Sequence, residues 1–214
     1  MQERAVDVVI VDYGAGNLHS VAKAVERTGW RPLVSSRAED ALQARALILP
    51  GVGAAADTMT NLKNAGMVEP VKQYIASGRP FLGVCMGMQA LMTLSEEDGG
   101  QPCLDIISGH VRKLAGGDGL KIPHMGWNNL RQMRPHLIFR GIPDNAYFYF
   151  VHSYACVPDD PGVVIGETYY GQPITAAVAK DNIVATQFHP EKSGKHGLMI
   201  YANFITDALG GGWK

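Results

Sequence analysis

Arg79 to Met92 read "RPFLGVCMGMQALM". An apolar run with the length of a buried strand ends near Gly83. Cys85 follows, Gly87 closes the bracket around it, and a helical pattern begins. A strand that turns directly into a helix is a repeating unit of parallel sheets, because parallel strands can be joined only through a crossover. The same alternation extends toward the N-terminus. "VDVVIVD", residues 6–12, is β-branched and almost continuously apolar, as a strand buried on both faces should be. After "YGAG", the segment "NLHSVAKAVERTG" predicts a helix capped by Asn17, with Leu18, Val21, Ala22 and Val25 on one face and Gly29 at its end. "RPLVSS" predicts a second strand and "RAEDALQA" a short helix, where Ser36 and Glu39 have the spacing of a capping box. "ALILPG" predicts a third strand, helical material runs through Ser77, and "PFLGVC" is the fourth strand.

Beyond about Gly99 the texture changes. "IISGHVRKL", "WNNLRQM", "AYFYFVHSYACV", "GVVIGETYY", "ITAAVAK" and "NIVATQFH" are short β-like runs between Gly, Pro, Asn and Asp turns. "GLMIYANFITDALG" predicts a closing helix, the glycine-rich "LAGGDGLK" a loop tip, and "GGWK" a loose tail. The expected fold is therefore α/β: a mostly parallel central sheet with helices on both faces, plus a β-rich second half. No linker interrupts residues 1–214, so a single domain is expected.

The composition narrows the function. Hydrophobic residues make up 46% of the chain and charged ones 18%, enough to build a core. The formal net charge of −1 gives no reason to expect a nucleic acid or an anionic membrane as partner. No apolar run approaches the ~20 residues of a membrane-spanning helix, and the N-terminus lacks a signal-peptide pattern. Cys85, Cys103 and Cys156 are odd in number and show no CxxC spacing, which speaks against a disulfide framework or a cysteine zinc site and for a cytoplasmic location.

The chemistry centres on Cys85. Gly-x-Cys-x-Gly after a strand has the form of a nucleophile elbow, which lifts a side chain out of the sheet and sets it at a helix N-terminus, where a thiolate is favoured. The Met86 N–H would face a developing oxyanion. A lone cysteine is more often a small core residue, so the neighbouring motifs matter. "LPGVGAA", Leu49 to Ala55, follows another strand, and a glycine-rich turn there can point N–H groups at an oxyanion. "ATQFHPEKS" carries His189 and Glu191, two apart on an extended backbone, so the carboxylate can orient the imidazole. Other features are weak. "DYGAGN" is an incomplete dinucleotide fingerprint, and "HPEKSGKH" lacks zinc-site spacing. No metal or cofactor is expected.

Strand–"PGVG", "GVCMGMQ" and "FHPEKS", in that order, resemble the glutaminase domain of class I (triad-type) glutamine amidotransferases over nearly the whole chain. "VDYGAGN", "PHMGWN" at 123–128, "YFVHSY" at 149–154 and "SEE" at 95–97 are similar to one branch, the glutaminase subunits of imidazole glycerol phosphate synthase in histidine biosynthesis. That resemblance implies a catalytic triad of Cys85, His189 and Glu191, with Met86 and the loop Gly51, Val52 and Gly53 as oxyanion hole. It implies glutamine as substrate, held by Gln89, Glu97, Ser153 and Tyr154. It also implies a (β/α)8 cyclase subunit as partner in a heterodimer, contacted by Asn17, Trp127, Tyr149 and Lys192 and supplied with ammonia through a tunnel. In such enzymes the glutaminase is nearly silent until the partner binds its nucleotide, and the "PGVG" loop is the element expected to rearrange. Three rivals stand beside this reading: the glutaminase of another amidotransferase, a cysteine-nucleophile ester or lactone hydrolase, and a catalytically dead binding module.

Overall fold

Val8, Val9, Ile10 and Val11 are all fully buried, and they alternate between two different cores: Val8 and Ile10 in one, Val9 and Val11 in the other. The apolar continuity of this strand follows, since neither face meets water. The computed structural model describes residues 6–117 and 119–211. The charged opening residues, Asp118 of the loop tip and the last three residues of the "GGWK" tail lie outside the described residues.

The first half alternates as its sequence predicts: β1 (Val8–Val11), α1 (Leu18–Glu26), β2 (Pro32–Ser35), α2 (Ala38–Gln43), β3 (Ala46–Leu49), α3 (Ala55–Asn64), α4 (Val68–Ala76), β4 (Phe81–Val84) and α5 (Met86–Gln89). The second half adds β5 (Leu94–Ser95), β6 (Gln101–Pro102), β7 (Gly109–Lys113), β8 (His124–Gln132), β9 (Ala146–His152) and β10 (Tyr154–Pro158). It closes with β11 (Val164–Tyr169), β12 (Pro173–Lys180), β13 (Ile183–Thr186) and α6 (Gly194–Gly210). The central sheet has the order β2-β1-β3-β4-β13-β12-β11-β8-β9, parallel from β2 to β13 and antiparallel beyond. A second sheet has the order β10-β7-β5-β6.

Helices cover both faces. Val21 and Val25 of α1 and Ile200, Tyr201 and Phe204 of α6 fill one core, while Ala41 of α2, Leu62 of α3 and Val71 and Tyr74 of α4 fill the other. Asn17 caps α1 as predicted, its side-chain oxygen accepting from Ser20 N–H at 3.3 Å. The capping box from Ser36 to Glu39 does not form. The cap position of α2 is Arg37, which makes no side-chain cap bond, and Ser35 braces the helix start instead, accepting from Arg37 N–H at 3.1 Å and donating to Asp40 at 2.5 Å. Ser35 ends β2 with its side chain buried, so it reaches the helix start that a residue one step further along would face away from.

Two features place the site. The strand order reverses beside β1, which pairs with β2 on one side and β3 on the other, and ligands of open α/β sheets bind at such a switch. β13, from the far end of the sequence, is laid against β4, with Val84 opposite Thr186. The run "AYFYFVHSYACV" divides at Ser153, where the chain leaves the central sheet as β9 and enters the smaller one as β10.

Candidate active site

Cys85 caps α5 with φ 54° and ψ −106°, a conformation that costs a residue with a side chain about 1–3 kcal/mol. Its surroundings hold it there. Cys85 N–H donates to Thr186 O of β13 at 2.7 Å, and Cys85 O accepts from Met88 and Gln89 N–H at 3.0 and 3.1 Å. The bracketing glycines are needed for close approach. A Cβ on Gly83 would lie 2.7 Å from Gly87 O, and one on Gly87 would overlap Leu49 O. The elbow is thus wedged against the end of β3, whose following loop carries the second motif. A Cβ on Gly51 would sit 2.6 Å from both Met86 Cβ and the Tyr13 hydroxyl, so the Gly51–Gly53 loop lies directly against the start of α5. The Met86 N–H, at the first helical position, has no intrahelical acceptor and is available to a ligand.

His189 follows β13 and is 2% exposed. Its Nδ1 meets Glu191 Oε1 at 2.8 Å, and both side chains are buried. Its Nε2 is buried with no hydrogen bond in place. Burial acts to lower the His189 pKa, but the adjacent Cys85 sulfur and the Glu191 carboxylate outweigh it and hold the imidazole well above its ordinary value. Two residues that sequence reasoning missed extend this chain. Tyr201 of α6 donates its hydroxyl to Glu191 Oε2 at 3.4 Å, and burial keeps that phenol neutral by raising its pKa. Ser193 donates to His189 O at 2.6 Å and accepts from Tyr149 N–H at 2.9 Å, fastening the turn to β9.

A cavity of about 370 Å³ opens over the sulfur. It brings together Val52, Gly53, Cys85, Met86, Gln89, Glu97, Ser153, Tyr154, His189 and Lys192 from the predicted set. Pro123, Val151 and His152 complete the lining. Glu191 stands behind His189, and Gly51 stands behind the loop; neither lines the cavity. Glu97 has a second task, its Oε2 accepting from Ala55 N–H at 2.6 Å, so one carboxylate oxygen pins the first turn of α3 and the end of the glycine loop. Gln89 donates to Tyr154 O and to Gln187 Oε1, each at 3.0 Å. Gln187 is the third missed residue. It lies inside the His189 motif, where only a strand's two-residue period set it on the side of His189.

Three of the predicted interface residues, Trp127, Tyr149 and Lys192, lie together. On the β8–β9 pair Trp127 is opposite Tyr149, and Met125 opposite Val151, so the four share a side of the sheet. The rings of Trp127 and Tyr149 meet edge-on at 6.2 Å, and Lys192 Nζ lies 5.8 Å from the Tyr149 ring centre. Trp127 is 55% exposed, which rules it out as core. Asn17 is exposed at the start of α1. Among the described residues no group of three or more His, Cys, Asp or Glu is placed to hold a metal ion, and no helix is long and apolar enough to cross a membrane.

Comparison with known proteins gives a consistent picture. Residues 9–208 match the family "Glutamine amidotransferase class-I". The chain is 48% identical over 203 residues to the imidazole glycerol phosphate synthase subunit HisH of Dehalococcoides mccartyi, covering 95% of this chain and 98% of that protein. It is also 48% identical to the subunit of the same name in Geobacter sulfurreducens, over 92% and 97% of the two chains. Among solved structures, a glutamine amidotransferase aligns with a TM-score of 0.73 at 20% identity, over 94% of this chain and 98% of that one. PurLQS from Thermotoga maritima aligns with a TM-score of 0.72 at 17% identity, over 94% and 97%. The last two are likenesses of fold alone.

Proposed function

We infer, for a chain that belongs to the class-I glutamine amidotransferase family, that Cys85, His189 and Glu191 form the catalytic triad with which it hydrolyses glutamine. It is the glutamine-hydrolysing subunit of an imidazole glycerol phosphate synthase and serves histidine biosynthesis. The observation that carries the triad is the buried His189–Glu191 pair at 2.8 Å, with Nε2 left unpaired beside a cysteine on a strained elbow.

The reaction follows from the placement of these groups. His189, whose pKa is held above its ordinary value by Cys85 and Glu191, takes the Cys85 proton and so frees the sulfur as nucleophile. The sulfur attacks the carboxamide carbon of glutamine, and the carbonyl oxygen becomes an oxyanion received by the Met86 N–H and the Gly51–Val52–Gly53 loop. As the C–N bond breaks, His189 gives its proton to the departing nitrogen, releasing ammonia and leaving a glutamyl thioester on Cys85. His189, now neutral, takes a proton from water, whose oxygen attacks the thioester. Glutamate leaves and the thiolate is restored. Glu191 keeps Nδ1–H turned toward itself, so Nε2 is the atom that moves protons. Gln89, Glu97, Ser153 and Tyr154 hold the substrate's α-amino and α-carboxyl groups in the cavity.

The ammonia passes to a (β/α)8 cyclase subunit, which docks on the face built from Asn17, Trp127, Tyr149 and Lys192. Support comes from the continuity of this face with the cavity, since Val151 and Lys192 belong to both. Residues 1–214 act as one glutaminase domain in the cytoplasm. The deciding experiment is glutamate release from glutamine by the chain alone and with a cyclase subunit plus its nucleotide. Stimulation by the partner, abolished in Cys85→Ser, is the expected result. Turnover that ignores the cyclase would assign the chain to another amidotransferase.

A further inference from the structure

Gln187 lies between β13 and His189, is fully buried, and has no part in the triad. Both ends of its amide are engaged. Oε1 accepts from Gln89 Nε2 at 3.0 Å, and Nε2 approaches Cys85 Sγ at 3.8 Å as a donor. The polarity of this chain is forced. Tyr154 O can only accept, so the Gln89 atom facing it at 3.0 Å is the nitrogen. The same nitrogen gives its other hydrogen to Gln187, whose facing atom must then be the oxygen. The Gln187 NH2 is left for the sulfur. The backbone cannot slip, because Gln187 N–H is tied to Ala176 O of β12 at 2.8 Å.

We propose that Gln187 is a further catalytic residue, donating an N–H to the Cys85 sulfur and engaging the second hydrogen of the Gln89 amide, whose first is held by Tyr154 O. The inference rests on the reading of Cys85 as nucleophile and deepens it. A hydrogen bond to a charged acceptor is about twice as strong as a neutral one, so the N–H is a second donor, beside the imidazole, that favours thiolate over thiol. Both Gln89 hydrogens are committed, so Gln89 presents only its carbonyl oxygen to the cavity. That oxygen accepts from N–H groups of the bound amino acid. Nucleophile and substrate pocket are thereby set by one amide.

The test compares wild type with Gln187→Met, which keeps the volume and removes both polar ends, and Gln187→Glu, which keeps an acceptor for Gln89 but sets a carboxylate against the sulfur. Two quantities are read: the pH midpoint of Cys85 alkylation by iodoacetamide, and kcat and KM for glutamine in the complete complex. Gln187→Met should raise the alkylation midpoint by about one pH unit, lower kcat about tenfold and raise KM. Gln187→Glu should raise the midpoint further and lower kcat more, with KM close to wild type. Folded variants whose alkylation midpoints match wild type would overturn the inference, because a merely structural amide would not move a thiol's titration. If neither variant folds, the side-chain NH2 resonances of Gln187 in the wild-type protein decide. They should shift with the Cys85 titration, and their indifference to it would overturn the inference. A wild-type complex that releases no glutamate would defeat the functional reading instead, a result distinct from any change in the thiol's titration.

Discussion

Cys85 meets two conflicting demands, a sulfur open to the cavity from a buried position and a fixed backbone at positive φ, and its neighbours reconcile them by contact. The tightest contact is that of Gly87 with the Leu49 carbonyl. Gly87→Ala should therefore lower stability by about 1–3 kcal/mol, seen as a lower urea midpoint, with glutaminase activity falling further because the elbow must tilt. An unchanged midpoint would show that the sheet can give way there. At this scale the sequence was informative wherever a residue type was unusual in its setting: a thiol between glycines, or a histidine before proline and a carboxylate two residues on. Gln187 and Tyr201 escaped because a buried amide in a strand-like run and a tyrosine in a helix look like core, and only their partners reveal otherwise.

The β8–β9 pair holds a directional chain that no local pattern announces. Asn128 Nδ2 meets His124 Nε2 at 3.2 Å, His124 Nδ1 meets His152 Nε2 at 2.9 Å, and His152 Nδ1 meets Tyr154 O at 2.9 Å. Since Tyr154 O can only accept, each imidazole donates from Nδ1 and accepts at Nε2, so both are neutral. Burial lowers both pKa values from 6.5 to about 4. The unfolded chain takes up protons first as pH falls, so the stability these histidines contribute is present above pH 6.5 and is lost between 6.5 and 4. His136, also lowered by burial, acts with the same sign. The thermal midpoint should fall as pH is lowered through that window, and His152→Gln should flatten the dependence; an equal slope in the variant would refute the assignment. Elements, by contrast, were largely legible. Val8 to Val11 and Phe81 to Val84 are apolar throughout, and α1 announces itself by its cap. The failure at α2 is instructive. The sequence pointed to Ser36, and only the pleat of β2 determines that Ser35 is the serine turned toward the helix start.

For the whole molecule, the exposed face carries the expectation for assembly. Met125 and Tyr147 are 61% and 60% exposed and flank Trp127 on the same side of the sheet. Trp127→Ala should weaken binding of the cyclase subunit by tenfold or more in a calorimetric titration, with the melting temperature of the free chain unchanged. Unaltered binding would move the docking face elsewhere. The strand order was the least legible level. Nothing within "NIVATQFH" shows that it lies against β4 rather than continuing a β-rich second half, because pairing partners are set by packing across the sheet and not by local composition. The position of β13 also governs when the enzyme is born. Cys85 and Gln187 lie 102 residues apart, with every intervening strand still to be threaded. During vectorial synthesis the elbow leaves the ribosome seconds before His189 does, at a translation speed of roughly 5–20 residues per second. A nascent or prematurely ended chain therefore carries Cys85 without His189, and under the proposed triad the thiol is armed only when the last strand slots in beside it.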